Sequence, residues 1–407
     1  MPELMNSQAQ ARLGEYFDRV GAVLGRRERR ESFAIYAMGL LGDGERKSME
    51  PIACRSCPDP AKADAAHQRL THFANDAPWS DREVRQTSAR YAIEAMTARE
   101  AMESWIVDDT GFLKQGTHSV GVQRQYTGTA GKVTNCQIGV TLSVATATEH
   151  LPIDFELYLP ESWASSVARR REARIPDGVR FKTKIELALD MIRRAVADGI
   201  PPGVVLADSA YGTAIDFREE IRALGLQYCV GVEAKTTVWL IEQDWRRGES
   251  INVKDLAFLL RERGDFRRCT WRKGSRTDLT AKFAALRVLP AHKAGGLARD
   301  REPLWLLIEW RDGESEPANY FLSSLPERMT KKRLIRIAMQ RWRTERVYED
   351  LKGELGLDHF EGRRFTGWHH HVSVALCCYA FIVAERVRRF SPSAGRTLAG
   401  DTHSLST

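Results

Sequence analysis

Arg341, Glu345, Tyr348 and Lys352 step by four, three and four through a stretch without Pro or Gly. The stretch is rich in good helix formers, so a helix over 341–352 is predicted. The spacing stacks the four side chains on one face. A carboxylate held between two cations suits a phosphate site, where the acid holds a metal and the cations grip a nucleic-acid backbone. The same pattern also describes a solvated helix laced with i,i+4 ion pairs. Two further stretches weigh against that bland reading. Residues 104–111 (Ser-Trp-Ile-Val-Asp-Asp-Thr-Gly) and 203–212 (Gly-Val-Val-Leu-Ala-Asp-Ser-Ala-Tyr-Gly) are short apolar runs that end in Asp and then turn. Buried strands whose tips present carboxylates read this way. Asp108 and Asp208 from two strand tips, with Glu345 from a helix, could converge on metal.

The elements that must position these residues follow from periodicity. Residues 1–100 read as helical. Leu13, Phe17, Val20 and Leu24 recur at helical spacing, as do Phe33, Tyr36 and Leu40. Gly42-Asp43-Gly44 breaks the pattern. A helix over 61–75 buries Leu70 and Phe73, and Ser80 is placed to cap the next. The basic cluster Arg26–Arg30 reads equally as a solvated face or as a DNA contact. From Ser104 the pattern changes to strands at 105–108, 119–126, 136–146 and 151–159. An Asp-tipped first strand followed by an antiparallel meander is how an RNase H-like fold begins. An amphipathic helix at 185–197, the Asp208 strand, a helix at 215–224 and a strand at 228–232 complete an α/β layer. Residues 235–325 break the rhythm with apolar runs at 238–241, 281–289 and 304–310 and a hairpin near Lys273-Gly274-Ser275. They read as a mostly β insertion. There Arg261, Arg263, Arg267, Arg268, Arg272, Lys273 and Arg276 interleave with Phe266 and Trp271. Cations for phosphates and aromatics for bases fit a DNA contact, and an edge hairpin protected by charge is the alternative. The predicted organisation is an N-terminal helical, DNA-binding domain (1–100) and the first part of the core (101–234). The insertion (235–328), a catalytic helix with a C-terminal helical part (329–390) and a disordered tail (391–407) follow.

At 407 residues the chain is long enough for two or three domains. A formal charge of +7 favours a polyanionic partner. The N-terminus lacks an apolar run, the apolar stretch 372–384 is too short to span a bilayer, and a cytoplasmic protein without membrane contact is expected. Seven Cys in a chain of this size do not form a disulfide framework. Cys54 and Cys57, with His67 and His72 downstream, are more simply incidental thiols than a zinc site. His369, His370 and His371 are adjacent, and helical neighbours point about 100° apart. They cannot all ligate one ion, so packing or a phosphate contact is expected.

Together these residues resemble the DDE transposases of bacterial insertion sequences, and within them the cut-and-paste branch with the signature Tyr-x-x-Arg-x-x-x-Glu-x-x-x-x-x-x-Lys. Arg341, Glu345 and Lys352 fall on its last three positions, while Ala338 stands where the Tyr would be. The runs from Asp108 (Asp-Asp-Thr-Gly-Phe-Leu-Lys-Gln-Gly), Gln123 (Gln-Arg-Gln-Tyr), Ala207 (Ala-Asp-Ser-Ala-Tyr-Gly) and Gly356 (Gly-Leu-Asp-His-Phe-Glu-Gly-Arg) carry the resemblance further. It covers about residues 30–385.

The resemblance implies a transposase that cuts DNA at the ends of an insertion sequence and joins the 3′-OH ends to target DNA. It implies hairpin intermediates and a homodimer on DNA. Two Mg²⁺ ions, replaceable by Mn²⁺, would be held by Asp108, Asp208 and Glu345, with Asp108 bridging. Arg341 and Lys352 would grip phosphates, Tyr348 would contact a base or pack, and Lys114, Arg124, Arg268, Arg272 and Lys273 are further DNA contacts. Asp109 competes with Asp108, because successive strand residues face opposite ways. Asp108 is preferred for its position at the end of the apolar run. Glu349 competes less well with Glu345. A non-catalytic DNA-binding regulator descended from a transposase, or an RNase H-like nuclease, are the alternative readings.

Overall fold

A computed structural model describes residues 7–241, 250–272, 279–291 and 302–389. Five helices come first: α1 (Ser7–Leu24), α2 (Arg27–Leu41), α3 (Met49–Ser56), α4 (Ala63–Asn75) and α5 (Asp81–Thr97). Leu13, Val20 and Leu24 of α1 and Phe33, Tyr36 and Leu40 of α2 are buried, as the periodicity predicts. Ser80 caps α5, its Oγ accepting from the Glu83 N–H at 3.1 Å. Helix α3 was not expected. It is too short for periodicity to reveal, yet it buries Ile52 and Ala53.

Strands β1 (Ser104–Leu113), β2 (Gln123–Thr127), β3 (Lys132–Ala145) and β4 (His150–Tyr158) follow, then short helices α6 (Glu161–Ala164) and α7 (Val167–Glu172). Helix α8 (Lys184–Ala197) opens on a capping box between Thr183 and Glu186. Next come β5 (Val204–Ala207), α9 (Ser209–Gly212), α10 (Ile215–Ala223) and β6 (Tyr228–Gly231). The remaining elements are β7 (Thr237–Leu240), β8 (Ile251–Asn252), α11 (Val253–Glu262), β9 (Arg267–Arg272), β10 (Leu279–Pro290), β11 (Leu304–Trp310) and β12 (Asn319–Ser323). Helices α12 (Lys331–Ala338), α13 (Arg343–Gly353) and α14 (Phe365–Arg389) end the described chain.

The strands form one mixed sheet in the order β2-β3-β1-β5-β6-β12-β11-β10-β7-β8, with β4 also on β3 and β9 also on β10. β1 is antiparallel to β3 and parallel to β5. The segment after residue 235 continues this sheet through β12, which pairs antiparallel with β6. It also contains α11, whose Val253, Leu256, Ala257 and Leu260 are buried at helical spacing. The expected hairpin at 273–275 and the tail 391–407 lie outside the described residues. Residues 119–122, expected in a strand, turn instead at Gly121, where φ is +74°.

Helix α14 is longer than the apolar run suggested. By length and composition it could cross a membrane, but it is buried along most of its length. It packs against α5, β4 and α2. Its three adjacent histidines serve packing. His370 sets its Nδ1 2.8 Å from the Ala74 carbonyl and its Nε2 3.1 Å from the Trp79 carbonyl, and stacks on Trp79 at 3.6 Å.

Candidate active site

The site is built where β5 stops and β1 continues. The parallel register pairs Ser104 with Val204 and Ile106 with Leu206. Extended two residues, it sets Asp108 level with Asp208. Asp108 is therefore not at a strand tip, because β1 runs on to Leu113. It lies beside the gap left when β5 ends at Ala207. Asp208 then caps the short turn α9, its Oδ1 accepting from the Ala210 N–H at 2.9 Å.

The expected continuous helix over 341–352 is divided. Helix α12 ends at Ala338, a tighter 3₁₀ turn spans Met339–Trp342, and α13 starts at Arg343. Near 120° per residue in that turn sends neighbours in different directions. Gln340 accepts from Ser104 Oγ at 2.6 Å, and Arg341 Nη1 donates to Asp108 Oδ2 at 2.8 Å. Both reach β1. Burial pulls the Arg341 guanidinium down, but Asp108, Asp208 and Glu345 outweigh it and hold it protonated more firmly than usual. All three acids thus act on one cation. Burial pushes the Asp108 carboxyl up to about 7, with Asp208 adding to the rise and Arg341 opposing it.

Asp109 answers to other partners. Its Oδ2 accepts from Lys184 Nζ at 2.9 Å and from the Tyr211 hydroxyl at 3.2 Å. Its own N–H bonds Asp108 Oδ1 at 2.8 Å. Glu345 is exposed on the first turn of α13. Glu349 is exposed too and pairs with Arg346 at 3.6 Å.

Of the residues expected to contact DNA, Tyr348, Lys352 and Lys114 bond within the protein in this structure, Tyr348 taking the packing alternative. Tyr348 is buried and its hydroxyl donates to Thr141 Oγ1 at 2.5 Å, while Thr141 donates to the Asp108 carbonyl at 3.3 Å. It packs α13 onto β3. Lys352 Nζ donates to Thr110 Oγ1 and the Gly111 carbonyl at 2.8 Å each, and to Thr129 Oγ1 at 3.4 Å. Burial lowers its pKa. In this state the ammonium ties α13 to β1 and to the β2–β3 turn. Lys114 likewise bonds the Phe360 carbonyl at 2.7 Å. Arg124 is exposed on β2, an edge strand. Arg268 is exposed and pairs with Asp312 at 2.7 Å, away from the acids in sequence and sheet order. The Arg272 side chain and Lys273 lie outside the described residues.

Sequence reasoning missed Lys184, Tyr211, Thr129 and Thr141. Each is an ordinary polar residue until the fold brings it to the acids. It also missed a cavity of about 450 Å³ beside α13, lined by Arg336, Arg343, Arg346, Arg386, Trp271 and Trp342 among others.

The carboxylates suit a hard divalent cation, which takes oxygen ligands. The charge that burial makes costly on Asp108, with Asp208 adding to that cost, is what such a cation would offset. Among the described residues no three His, Cys, Asp or Glu side chains come together as a metal-binding group. Asp108 and Asp208, whose charges bear on each other, carry the oxygen donors such a cation takes, and Glu345 is not grouped with them in this structure.

A family described as DDE superfamily endonuclease matches residues 19–278, more than half of the chain. A curated relative, the probable transposase for insertion sequence element IS701 of Microchaete diplosiphon, is 28% identical over 212 residues. That match covers 52% of this chain and 51% of the relative, so it spans about half the length of the relative. A solved structure of a piggyBac transposase synaptic complex with hairpin DNA is similar at a TM-score of 0.41 and 11% identity, over 92% of this chain and 68% of that one.

Proposed function

The chain belongs to the DDE superfamily endonucleases, and on that premise we propose that it is a transposase acting on the ends of an insertion sequence. The observation that carries the reading is the placement of Asp108 on β1 beside Asp208, which follows directly on the end of the parallel neighbour β5, with Arg341 bonded to Asp108. The sheet order β4-β3-β1-β5-β6 is antiparallel in its first two steps and parallel in its last two. That order supports an RNase H-like core. The strands after residue 235 are then the insertion, and the five N-terminal helices a DNA-binding unit.

Asp108, Asp208 and Glu345 would hold divalent cations, Mg²⁺ or Mn²⁺. Such ions activate the attacking oxygen and stabilise the leaving one in phosphodiester cleavage and strand transfer. Arg341 is the protein's own positive charge at that point. Donating to Asp108 leaves it within reach of a phosphate arriving between the two aspartates. Thr141 and Tyr348 fix the strand and helix on which these groups stand. The exposed Arg124 offers a phosphate contact along the DNA. A homodimer on two DNA ends and soluble action in the cytoplasm belong to the same reading.

The test is Mg²⁺-dependent cleavage of a labelled fragment carrying the element's own terminal repeat. The wild-type chain should cut it. Asp208→Ala should bind the fragment and leave it whole. Equal cutting by Asp208→Ala would end the proposal.

A further inference from the structure

The C-terminal end of α13 is held from the N-terminal helices by two independent polar links. Gly356, at φ +61°, closes α13. Its N–H bonds the Lys352 carbonyl at 3.2 Å, and the Leu357 N–H reaches back to the Leu351 carbonyl at 2.9 Å. This αL-type closure and the longer Leu357 bond satisfy two carbonyls at a helix end that leaves four open. The Glu354, Gly356 and Leu357 carbonyls are met from elsewhere in the fold.

The first link is Lys47, which is 6% exposed. Its Nζ donates to the Leu40 carbonyl at 2.6 Å, to the Gly42 carbonyl at 2.9 Å and to the Glu354 carbonyl. Leu40 and Gly42 end α2, and Glu354 caps α13. One ammonium thus sits at the negative ends of two helices, where a cation is favoured. The fit is close, since a Cβ added at Gly356 would come within 2.7 Å of Lys47 Cβ. The second link runs through His371. Its Nε2 lies 3.0 and 3.1 Å from the Gly356 and Leu357 carbonyls, so Nε2 carries the proton. Its Nδ1 then accepts from the Tyr36 hydroxyl of α2 at 2.7 Å.

Resting on the reading that α13 is the catalytic helix, we propose that Lys47 and Tyr36 are positioning residues, through which α2 sets the placement of α13 and with it Glu345. Helix α2 begins in the basic cluster Arg26–Arg30. A DNA contact at that end would be transmitted along one rigid helix to the end of α13. Neither Lys47 nor Tyr36 touches the acids.

The test uses the full chain with Lys47→Met and, as the milder change, Tyr36→Phe. Hydrogen exchange is followed in peptides covering 343–357 and in peptides of β1 and β5, beside single-turnover cleavage of terminal-repeat DNA. Exchange at 343–357 should rise about tenfold or more in both variants while the strands hold. The cleavage rate should fall severalfold with the half-saturating DNA concentration unchanged. Exchange that rises evenly across the core, or that stays unchanged at 343–357, would overturn the proposal and leave both residues merely structural. A wild-type chain that cuts no terminal DNA would defeat the transposase reading instead, and the exchange measurement would still decide the coupling.

Discussion

Asp108 and Asp109 are neighbours on β1 yet are bound to different cations. Asp108 Oδ2 accepts from Arg341 at 2.8 Å, and Asp109 Oδ2 accepts from Lys184 at 2.9 Å. Lys184 belongs to α8, which covers the sheet, whereas Arg341 belongs to the turn that leads into α13. The proposed function makes Asp108 the reacting carboxylate and leaves Asp109 a structural one. Asp108→Asn should lower DNA cleavage by roughly a hundredfold or more, the scale of losing one group that stabilises developing charge. Asp109→Asn should lower the melting temperature and cost less than about tenfold in rate, since it strands Lys184 on a half-buried surface. Cleavage rates and melting curves on both variants check this, and a reversed order would make Asp109 the first acid.

Lys352 should act in the fold before it acts on DNA. Its ammonium bonds three oxygens on β1 and on the turn between β2 and β3. Lys352→Met leaves those oxygens partly unsatisfied and should destabilise the DNA-free protein by about 1–3 kcal/mol. A lysine that served phosphates alone would leave the melting curve unchanged. Thr129→Val removes the acceptor of the Gly111 N–H at 3.1 Å and should cost about 1 kcal/mol with cleavage retained.

A buried ionic network joins α5, β4, α8 and α14. Arg85 is 4% exposed. Its Nη1 donates to Asp81 at 2.5 Å and to Ser373 at 2.8 Å, and its Nε lies 3.1 Å from Asp154 without hydrogen-bond alignment. Arg194 closes the network on Asp154 and Glu156, each at 2.7 Å. Arg85→Met should destabilise the protein by several kcal/mol, about 3–5 at most, because it leaves the half-buried Asp81 unpaired and Asp154 with Arg194 alone. Burial alone would raise the Asp81 carboxyl, but Arg85 outweighs it and holds the group at about 2. The unfolded chain binds that proton near pH 4, so this share of stability is present above about 4 and is lost as the pH falls toward 2. Acid titration of the wild-type melting curve should show this loss, and Arg85→Met should not.

The acids and cations of this site were legible in sequence because each ends or punctuates a pattern. Asp108 and Asp208 close apolar runs, and Arg341 and Glu345 hold a fixed spacing. What those side chains face was not legible. Tyr348 occupies the helical position expected for a ligand contact, but Val347 and Leu351 draw that side of α13 into the core and Thr141 meets the hydroxyl. Helix α11 carried readable helical periodicity, yet its strand-rich neighbourhood hid it. The 3₁₀ turn before α13 could not be read from helix propensity, since Gln340 and Arg341 adopt it to reach Ser104 and Asp108 across 230 residues of chain or more.

Three buried histidines set the protein's behaviour in mild acid. Burial pushes His150 down to about 3 and His370 and His371 to about 4. The unfolded chain protonates these rings below about pH 6.5 and the folded chain does not. Stability should therefore fall as the pH drops from about 6.5 toward 4. His369 runs the other way: burial lowers it, but the bond to Glu156 outweighs burial and raises it. Its contribution is fully present below about 6.5 and is lost as the pH rises past its raised value. His150 has neither ring nitrogen hydrogen-bonded, so His150→Leu should reduce the loss in mild acid without harm at pH 8. Melting temperatures of the two proteins between pH 4 and 8 decide it, and parallel curves would remove His150 from the account.

Glu345 is the acid whose place is least fixed by the fold. It is exposed at the start of α13, while Asp108 and Asp208 are held by the sheet and by α9. Its charge bears on Arg341 together with theirs. Glu345→Gln keeps the shape and removes the charge on a solvent-facing residue, so it should leave the unfolding free energy within about 0.5 kcal/mol of wild type. Terminal-repeat DNA should still bind. Mg²⁺-dependent cleavage should fall by roughly a hundredfold or more, and Glu349→Gln should leave it near wild type. A Glu345→Gln protein that cuts at the wild-type rate, with Glu349→Gln inactive, would move the third acid one turn along the helix.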